Sequence, residues 1–322
     1  MKNLIFAVDL GGTTNKLAIL TDSGDFVHKW EIPTDISENG KYIVENIGKA
    51  FSQKIQELKL TREQFCGVGM GAPGPVVPGG IISKAVNLGW ENFPLKTKLE
   101  EELQLPAFVG NDANCAALGE MWKGAGKGLD NLVCVTLGTG VGGGVITNGN
   151  IVEGANGGAG EIGHISVQLE NGFQCNCGKR GCLETVASAT GIVRLAMEEM
   201  KNTENSPLKD LYLQNGAVTS KDVFDYAAKE DAIALKVVDK LAFYIGYAIG
   251  TLSTVLNPNA VVIGGGVSKA GNALIEPVEK YYEKFAFPPS SADTKIILAT
   301  LGNDAGVIGA GWLVKKNILE DN

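Results

Sequence analysis

Leu4-Ile-Phe-Ala-Val-Asp9-Leu-Gly11-Gly12-Thr13-Thr-Asn-Lys16-Leu-Ala-Ile-Leu20 decides the fold. The apolar, β-branched run into Asp9 reads as a buried strand, the glycines as a turn, and Lys16 to Leu20 as a second strand. The same grammar returns at Leu132-Val-Cys-Val-Thr-Leu137, then Gly138-Thr139-Gly140-Val-Gly-Gly-Gly144, then Val145-Ile-Thr147, with Asn148-Gly149 as a hairpin turn. A third glycine turn, Gly264-Gly265-Gly266, follows the strand Ala260 to Ile263. A hairpin of this kind opening each of two halves predicts a duplicated α/β chain with a ligand cleft between the halves.

Outward from these hairpins, Phe26 to Ile32 and Phe65 to Met70 read as strands, the latter running into the loop Gly71 to Pro75. Helices are expected over residues 40–57, 95–103, 187–201, 220–228 and 233–256, and a last helix from Asp304, with Asp304 as its N-cap. The expected domains are residues 1–110, residues 111–303, and a C-terminal helix at 304–322 returning to the first. Gly246 and Gly250, four apart in the most apolar stretch, suit close helix–sheet packing better than a membrane dimer.

The chain has 322 residues, which suits two domains of ordinary size. Its net charge of −8, with no basic stripe, argues against nucleic-acid binding. No apolar stretch is long enough to span a bilayer, and no signal-type region precedes Asp9, so a cytoplasmic protein is expected.

Gly138-x-Gly140-x-x-Gly143 matches a dinucleotide fingerprint literally. The context does not, because such a fingerprint must open a helix, and here a β-branched pair and Asn-Gly follow. No Walker-type loop occurs either. Two glycine hairpins can instead cradle phosphates with unhindered backbone amides. Asp9 beside them then requires a divalent cation, since a carboxylate and a phosphate repel; its alternative role is turn capping.

Asn111 and Asp112 fall between a strand end and a helix start. Asp112 could be a simple N-cap, but a carboxylate there also suits a general base toward a hydroxyl, beside an amide that both donates and accepts. His164, Cys175, Cys177 and Cys182 supply one imidazole and three thiolates, a closed tetrahedral shell for structural Zn2+. Gly178 and Gly181 provide the turns of that loop, and the metal would fix Glu161 and Glu184 relative to each other.

Together these motifs resemble the ROK family of sugar kinases and repressors, within the actin-like ATPase superfamily. The resemblance runs from Asp9 to the C-terminus. It covers Asp9-Leu-Gly-Gly-Thr-Thr-Asn-Lys16, the tract Leu137 to Val145 with Gly154, Gly160, Gly163 and His164, and the loop Cys175-Asn-Cys-Gly-Lys-Arg-Gly-Cys182-Leu-Glu184. It implies a duplicated, ribonuclease H-like α/β fold and phosphoryl transfer from ATP with Mg2+ to a hexose. Asp112 would be the base on the 6-hydroxyl. Asn111, Glu161, His164 and Glu184 would bind sugar, with Gly71 and Asn87 nearby. Gly11, Gly12, Thr13 and Lys16 would form one phosphate loop, Gly138, Thr139 and Gly140 the other, and Gly265 and Gly266 would line the base or ribose. A homodimer is implied as well.

Within the family the tract Gly138 to His164 is most similar to glucokinases of Gram-positive bacteria, which makes glucose the expected sugar. Kinases for N-acetylmannosamine, mannose and fructose share most of these residues. Repressor relatives carry a winged helix-turn-helix segment before the first strand, and with that strand at Leu4 none is expected here. A sugar-sensing protein without catalysis would not need Asp112 and two phosphate loops.

Overall fold

The computed structural model describes residues 3–203 and 205–319. Residues 320–322 of the expected last helix, and Met1 and Lys2 before the first strand, lie outside the described residues.

The first compact unit comprises Met1–Gly128, Ile151–Gly160 and Asn303–Asn322. Its sheet is built from β1 (Leu4–Leu10), β2 (Thr14–Thr21), β3 (Phe26–Pro33), β4 (Phe65–Ala72) and, after a small meander, β8 (Ala107–Asn111), in the order β3-β2-β1-β4-β8. β1 pairs antiparallel with β2 and parallel with β4. It is central, so nearly every residue is buried, which explains its unbroken apolar run. Helix α1 (Ile43–Glu57) buries Ile43, Ile47, Phe51 and Ile55 at helical spacing against Phe6, Leu17 and Phe65. The meander, β5 (Val76–Val77), β6 (Ile81–Ala85) and β7 (Trp90–Phe93), was not foreseen. Helix α2 (Leu95–Leu103) leads into β8, and α3 (Asp112–Lys123) leaves it.

The second unit, Leu129–Asn150 and Glu161–Gly302, repeats the plan. Its strands β9 (Leu132–Leu137), β10 (Val141–Thr147), β11 (Asn150–Ile151), β12 (Ala260–Gly264) and β13 (Lys295–Leu298) run in the order β11-β10-β9-β12-β13. Again the first hairpin is antiparallel and the next strands are parallel to it. Helices α4 (Ala189–Lys201), α5 (Pro207–Asn215), α6 (Ser220–Ala227), α7 (Ala232–Leu256) and α8 (Asn272–Phe285) complete this unit. The last helix, α9 (Ala305–Val314), lies in the first unit and is buried along most of its length.

Several expectations change. The units do not divide after residue 110, because α3 packs backbone to backbone on α9: a β-carbon at Gly119 would stand 2.1 Å from the Ala305 carbonyl oxygen. Asp304 does not cap α9; its carboxylate pairs with Lys29 at 2.7 Å instead. The glycines at 142–144 are strand, not turn, since β10 begins at Val141. Gly246 and Gly250 face a helix rather than a sheet: β-carbons there would strike Tyr281 and Phe285 of α8. Among the described residues no helix is long and apolar enough to cross a membrane.

Candidate active site

In the first unit, strand register sets one row of residues side by side. Lys16 pairs with Asp9, Asp9 with Gly71, and Gly71 with Gly110. All stand at the carboxyl ends of parallel strands or just across from them, where open α/β sheets bind ligands. Lys16 Nζ lies 3.3 Å from Asp9 Oδ2. Burial pushes the Asp9 carboxyl above its ordinary value, and Lys16 offsets only part of that. A largely buried carboxylate at the mouth of a glycine hairpin, with a single cation beside it, has the chemistry to hold a divalent cation.

Gly11 must be glycine, because a β-carbon would stand 2.6 Å from the Thr14 carbonyl oxygen. Gly12 and Thr13 are exposed at the loop tip. Asn87, exposed in the turn Val86–Leu88, comes within 3.3 Å of where a Gly12 β-carbon would be, so it stands beside this loop. Gly71 is buried against Cys115 and the start of α3: a β-carbon there would crowd Cys115 at 3.2 Å and meet Asp112 Cα at an ordinary 3.6 Å.

The structure separates Asn111 from Asp112. Asn111 is the N-cap of α3: its Oδ1 accepts from the amides of Ala113 and Asn114, at 3.0 and 3.1 Å. Its Nδ2 donates to the Gly74 carbonyl at 3.2 Å. Asp112 is then the first helical residue, and its Oδ1 accepts from the Ala113 amide at 2.8 Å. The capping alternative for Asp112 therefore belongs to its neighbour.

In the second unit, the turn at Gly138, Thr139 and Gly140 is closed by Gly138 N–H donating to the Gly140 carbonyl at 2.9 Å. The first turn of α4 holds its other side: Ala189 N–H donates to Gly138 O at 2.8 Å, and Thr190 Oγ1 to Thr139 O at 3.4 Å. Glu184 Oε2 accepts from the Val141 amide at 3.1 Å. A β-carbon at Gly140 would stand 2.5 Å from that same oxygen, so this glycine permits the contact. Gly265, at φ 85°, packs on the Leu137 carbonyl, whereas Gly266 faces open space.

The four metal-ligand candidates converge. Their ligand atoms all lie within 4.8 Å of one another. Cys177 Sγ and Cys182 Sγ are 3.6 Å apart, and Cys175 Sγ is 3.7 Å from His164 Nδ1. Tetrahedral zinc with ordinary bond lengths requires S–S and S–N edges of about 3.8 and 3.6 Å, so these two edges match the ion. Gly178 and Gly181, at φ 91° and 80°, make the loop's turns. His164 Nε2, on the ring's other side, is 3.9 Å from Glu161 Oε2. Glu184 Oε1 is 3.9 Å from Cys175 Sγ, so one carboxylate bridges the cysteine cluster and the glycine loop.

Some participants were not foreseen. A polar cavity of about 180 Å³ opens among Thr139, Cys175, Asn176, Glu184, Thr190 and Arg194. Arg194 donates to the Thr185 carbonyl at 2.7 Å and lies over the Phe173 ring, 5.1 Å from its centroid. The only sequence signal for this pair is the i, i+4 spacing of Thr190 and Arg194 behind the N-cap Ser188.

The chain is 54% identical over 310 residues to a glucokinase of Halalkalibacterium halodurans, covering 96% of this chain and 94% of that one. It is 36% identical to a glucokinase of Thermotoga maritima, covering 98% of each. Among solved structures, a ROK family glucokinase from Streptomyces griseus, in complex with glucose and AMPPNP, superposes with a TM-score of 0.78 at 31% identity. It covers 98% of this chain and 100% of that one. The duplicated α/β topology is that of the actin-like ATPases, as the sequence implied. The ROK family pattern matches residues 5–317, and this chain is a member of the ROK family.

Proposed function

We propose that this chain is an ATP-dependent glucokinase, converting glucose and ATP to glucose 6-phosphate and ADP. The observation that carries the reading is Glu184, whose carboxylate touches both the amide after the Gly138–Gly140 loop and the zinc-type cluster. A sugar-ordering group and a phosphate loop are thereby joined through one carboxylate. The relatives named glucokinase support the sugar and the reaction.

In this reading Asp112 accepts the proton of the attacking 6-hydroxyl, and Asn111, Glu161, His164 and Glu184 order the sugar. Gly71 and Asn87 line the approach, although Asn87 stands nearer the first glycine loop. Gly11, Gly12, Thr13, Lys16, Gly138, Thr139 and Gly140 receive phosphates, and Gly265 and Gly266 the nucleoside. Asp9 would hold Mg2+, which neutralises developing phosphate charge. His164, Cys175, Cys177 and Cys182 would hold zinc, a structural ion with no open position. Homodimer assembly and a cytoplasmic location belong to the same proposal on family resemblance.

The test is ADP release from ATP with glucose, mannose, fructose, N-acetylglucosamine and N-acetylmannosamine. Glucose is expected to give the highest kcat/KM. Silence on every sugar would overturn the kinase, and preference for another sugar would overturn glucose.

A further inference from the structure

Thr34, the first residue after β3, holds the first glycine loop from behind. Its backbone N–H donates to the Thr13 carbonyl at 2.9 Å, extending the β2–β3 ladder one step past the Thr14–Pro33 pair. Its Oγ1 donates to the Gly11 carbonyl at 2.7 Å. Thus both carbonyls that flank Gly12 are turned toward one residue.

In the trans Gly11–Gly12 peptide the amide points opposite to the carbonyl, so the Gly11 carbonyl held on Thr34 turns the Gly12 amide the other way. Among the described residues, the exposed amides of Gly12 and Thr13 donate to no protein group, and the Gly11 amide closes the turn on Thr14 O at 3.1 Å. Asn15 lies behind the clamp. Its Oδ1, 3.2 Å from Thr34 Oγ1, is the more distant alternative acceptor for that one hydroxyl proton, and the residue is buried, with Nδ2 unpartnered among the described residues. Without the hydroxyl, Gly11 O would lose this partner, and the loop could flip a peptide to recover one.

We propose that Thr34 is a positioning residue for the phosphoryl donor: by holding the Gly11 carbonyl it fixes the glycine loop so that the Gly12 amide faces a phosphate. The assignment rests on the kinase reading above. It concerns nucleotide phosphates, because among the described residues the hydrogen bonds of Thr34 go to the Gly11–Thr13 loop and Asn15.

The test compares wild type, Thr34→Val and Thr34→Ser. Thr34→Val keeps the shape and removes the hydroxyl. It is expected to raise KM for ATP and Kd for ADP about tenfold, the cost of one unmet hydrogen bond. KM for glucose should stay within about twofold, and Thr34→Ser should restore nucleotide affinity. A Thr34→Val protein with unchanged ADP affinity overturns the assignment. So does one in which glucose and nucleotide affinities fall together, which marks general loosening. If the wild type phosphorylates no sugar, the kinase reading fails by itself, and calorimetric ADP binding to the three proteins still decides the role of Thr34.

Discussion

Gly306 lies against Asp9 with no room for a side chain. A β-carbon there would stand 2.7 Å from Asp9 Cγ, and 2.8 and 3.0 Å from its two oxygens. The amide end of α9 thus backs the carboxylate, where a helix dipole favours negative charge. Gly306→Ala must displace either the helix or Asp9. The expected result is a stability loss of about 1–3 kcal/mol with a fall in kcat of about tenfold. Denaturant melts and steady-state kinetics measure the two separately. Wild-type kcat in a folded Gly306→Ala protein would show that Asp9 is not held by this contact.

Asp9 itself should show a trade between stability and activity. Burial raises its carboxyl above the ordinary 3.8. The native state therefore binds the proton more tightly than the unfolded chain, and stability is lost as pH rises from the unfolded value through the raised one. Asp9→Asn removes that loss. Its melting temperature should exceed wild type at pH 7, with the difference shrinking toward pH 4, while turnover falls about a hundredfold. Melts across this pH range check the sign. An Asn variant less stable than wild type at pH 7 would mean that Lys16 outweighs burial.

Asp112→Asn should lower kcat by about 10²–10⁴ and leave glucose affinity within a few-fold, because a base acts on the proton rather than on binding. Its neighbour needs a different control. Asn111 caps α3, so Asn111→Ala is expected to cost about 1 kcal/mol of stability besides any effect on sugar. Asn111→Asp keeps the cap acceptor and isolates the amide's role in glucose KM. Near-normal turnover in Asp112→Asn would remove it as the base.

Elemental analysis should find about one zinc per chain, bound by His164, Cys175, Cys177 and Cys182. Chelation is expected to weaken glucose binding at least tenfold, since Glu161 and Glu184 flank the cluster. Unaltered glucose affinity in zinc-free protein would separate the metal from the sugar pocket.

Asp231 is expected to be the costliest polar truncation outside the candidate site. Its Oδ1 accepts from the Ile233 and Ala234 amides at the start of α7, and its Oδ2 from Ser206 Oγ and the Leu208 amide at the start of α5. Burial alone would raise its carboxyl, but these donors outweigh burial and hold it below the ordinary value. Its contribution is therefore complete above that value and is lost as pH falls through the depressed one. Asp231→Ala should cost about 2–4 kcal/mol near pH 7, read by denaturant unfolding, and less in acid.

The sequence by itself determined what neighbours in the chain can settle. Both hairpins were legible, because an apolar run, a glycine turn and a second run specify strand pairing over some seventeen residues. The zinc-type loop was legible for the same reason: Cys175, Cys177 and Cys182 sit within one short turn-rich stretch, and ligand count and type are local facts. The helices α2, α4, α6 and α7 were close to their expected limits, whereas α5, α8, β13 and the β5–β7 meander carried no pattern strong enough to stand out.

Only the tertiary structure decided how distant residues share work. Asp304 was a plausible cap until Lys29 took its carboxylate. Gly246 and Gly250 announced a close approach but not its partner, which is α8. Asn111, not Asp112, caps α3, because a residue with two good caps in succession leaves the choice to backbone angle and to the Gly74 carbonyl. Asp9 was visible as a carboxylate at a strand end. That burial raises its carboxyl above the ordinary value, and that Gly306 nearly three hundred residues later makes room for it, depends on packing. Local propensity sets which backbone shape a segment can take, but burial, charge and hydrogen-bond partner are properties of whatever else the fold brings alongside.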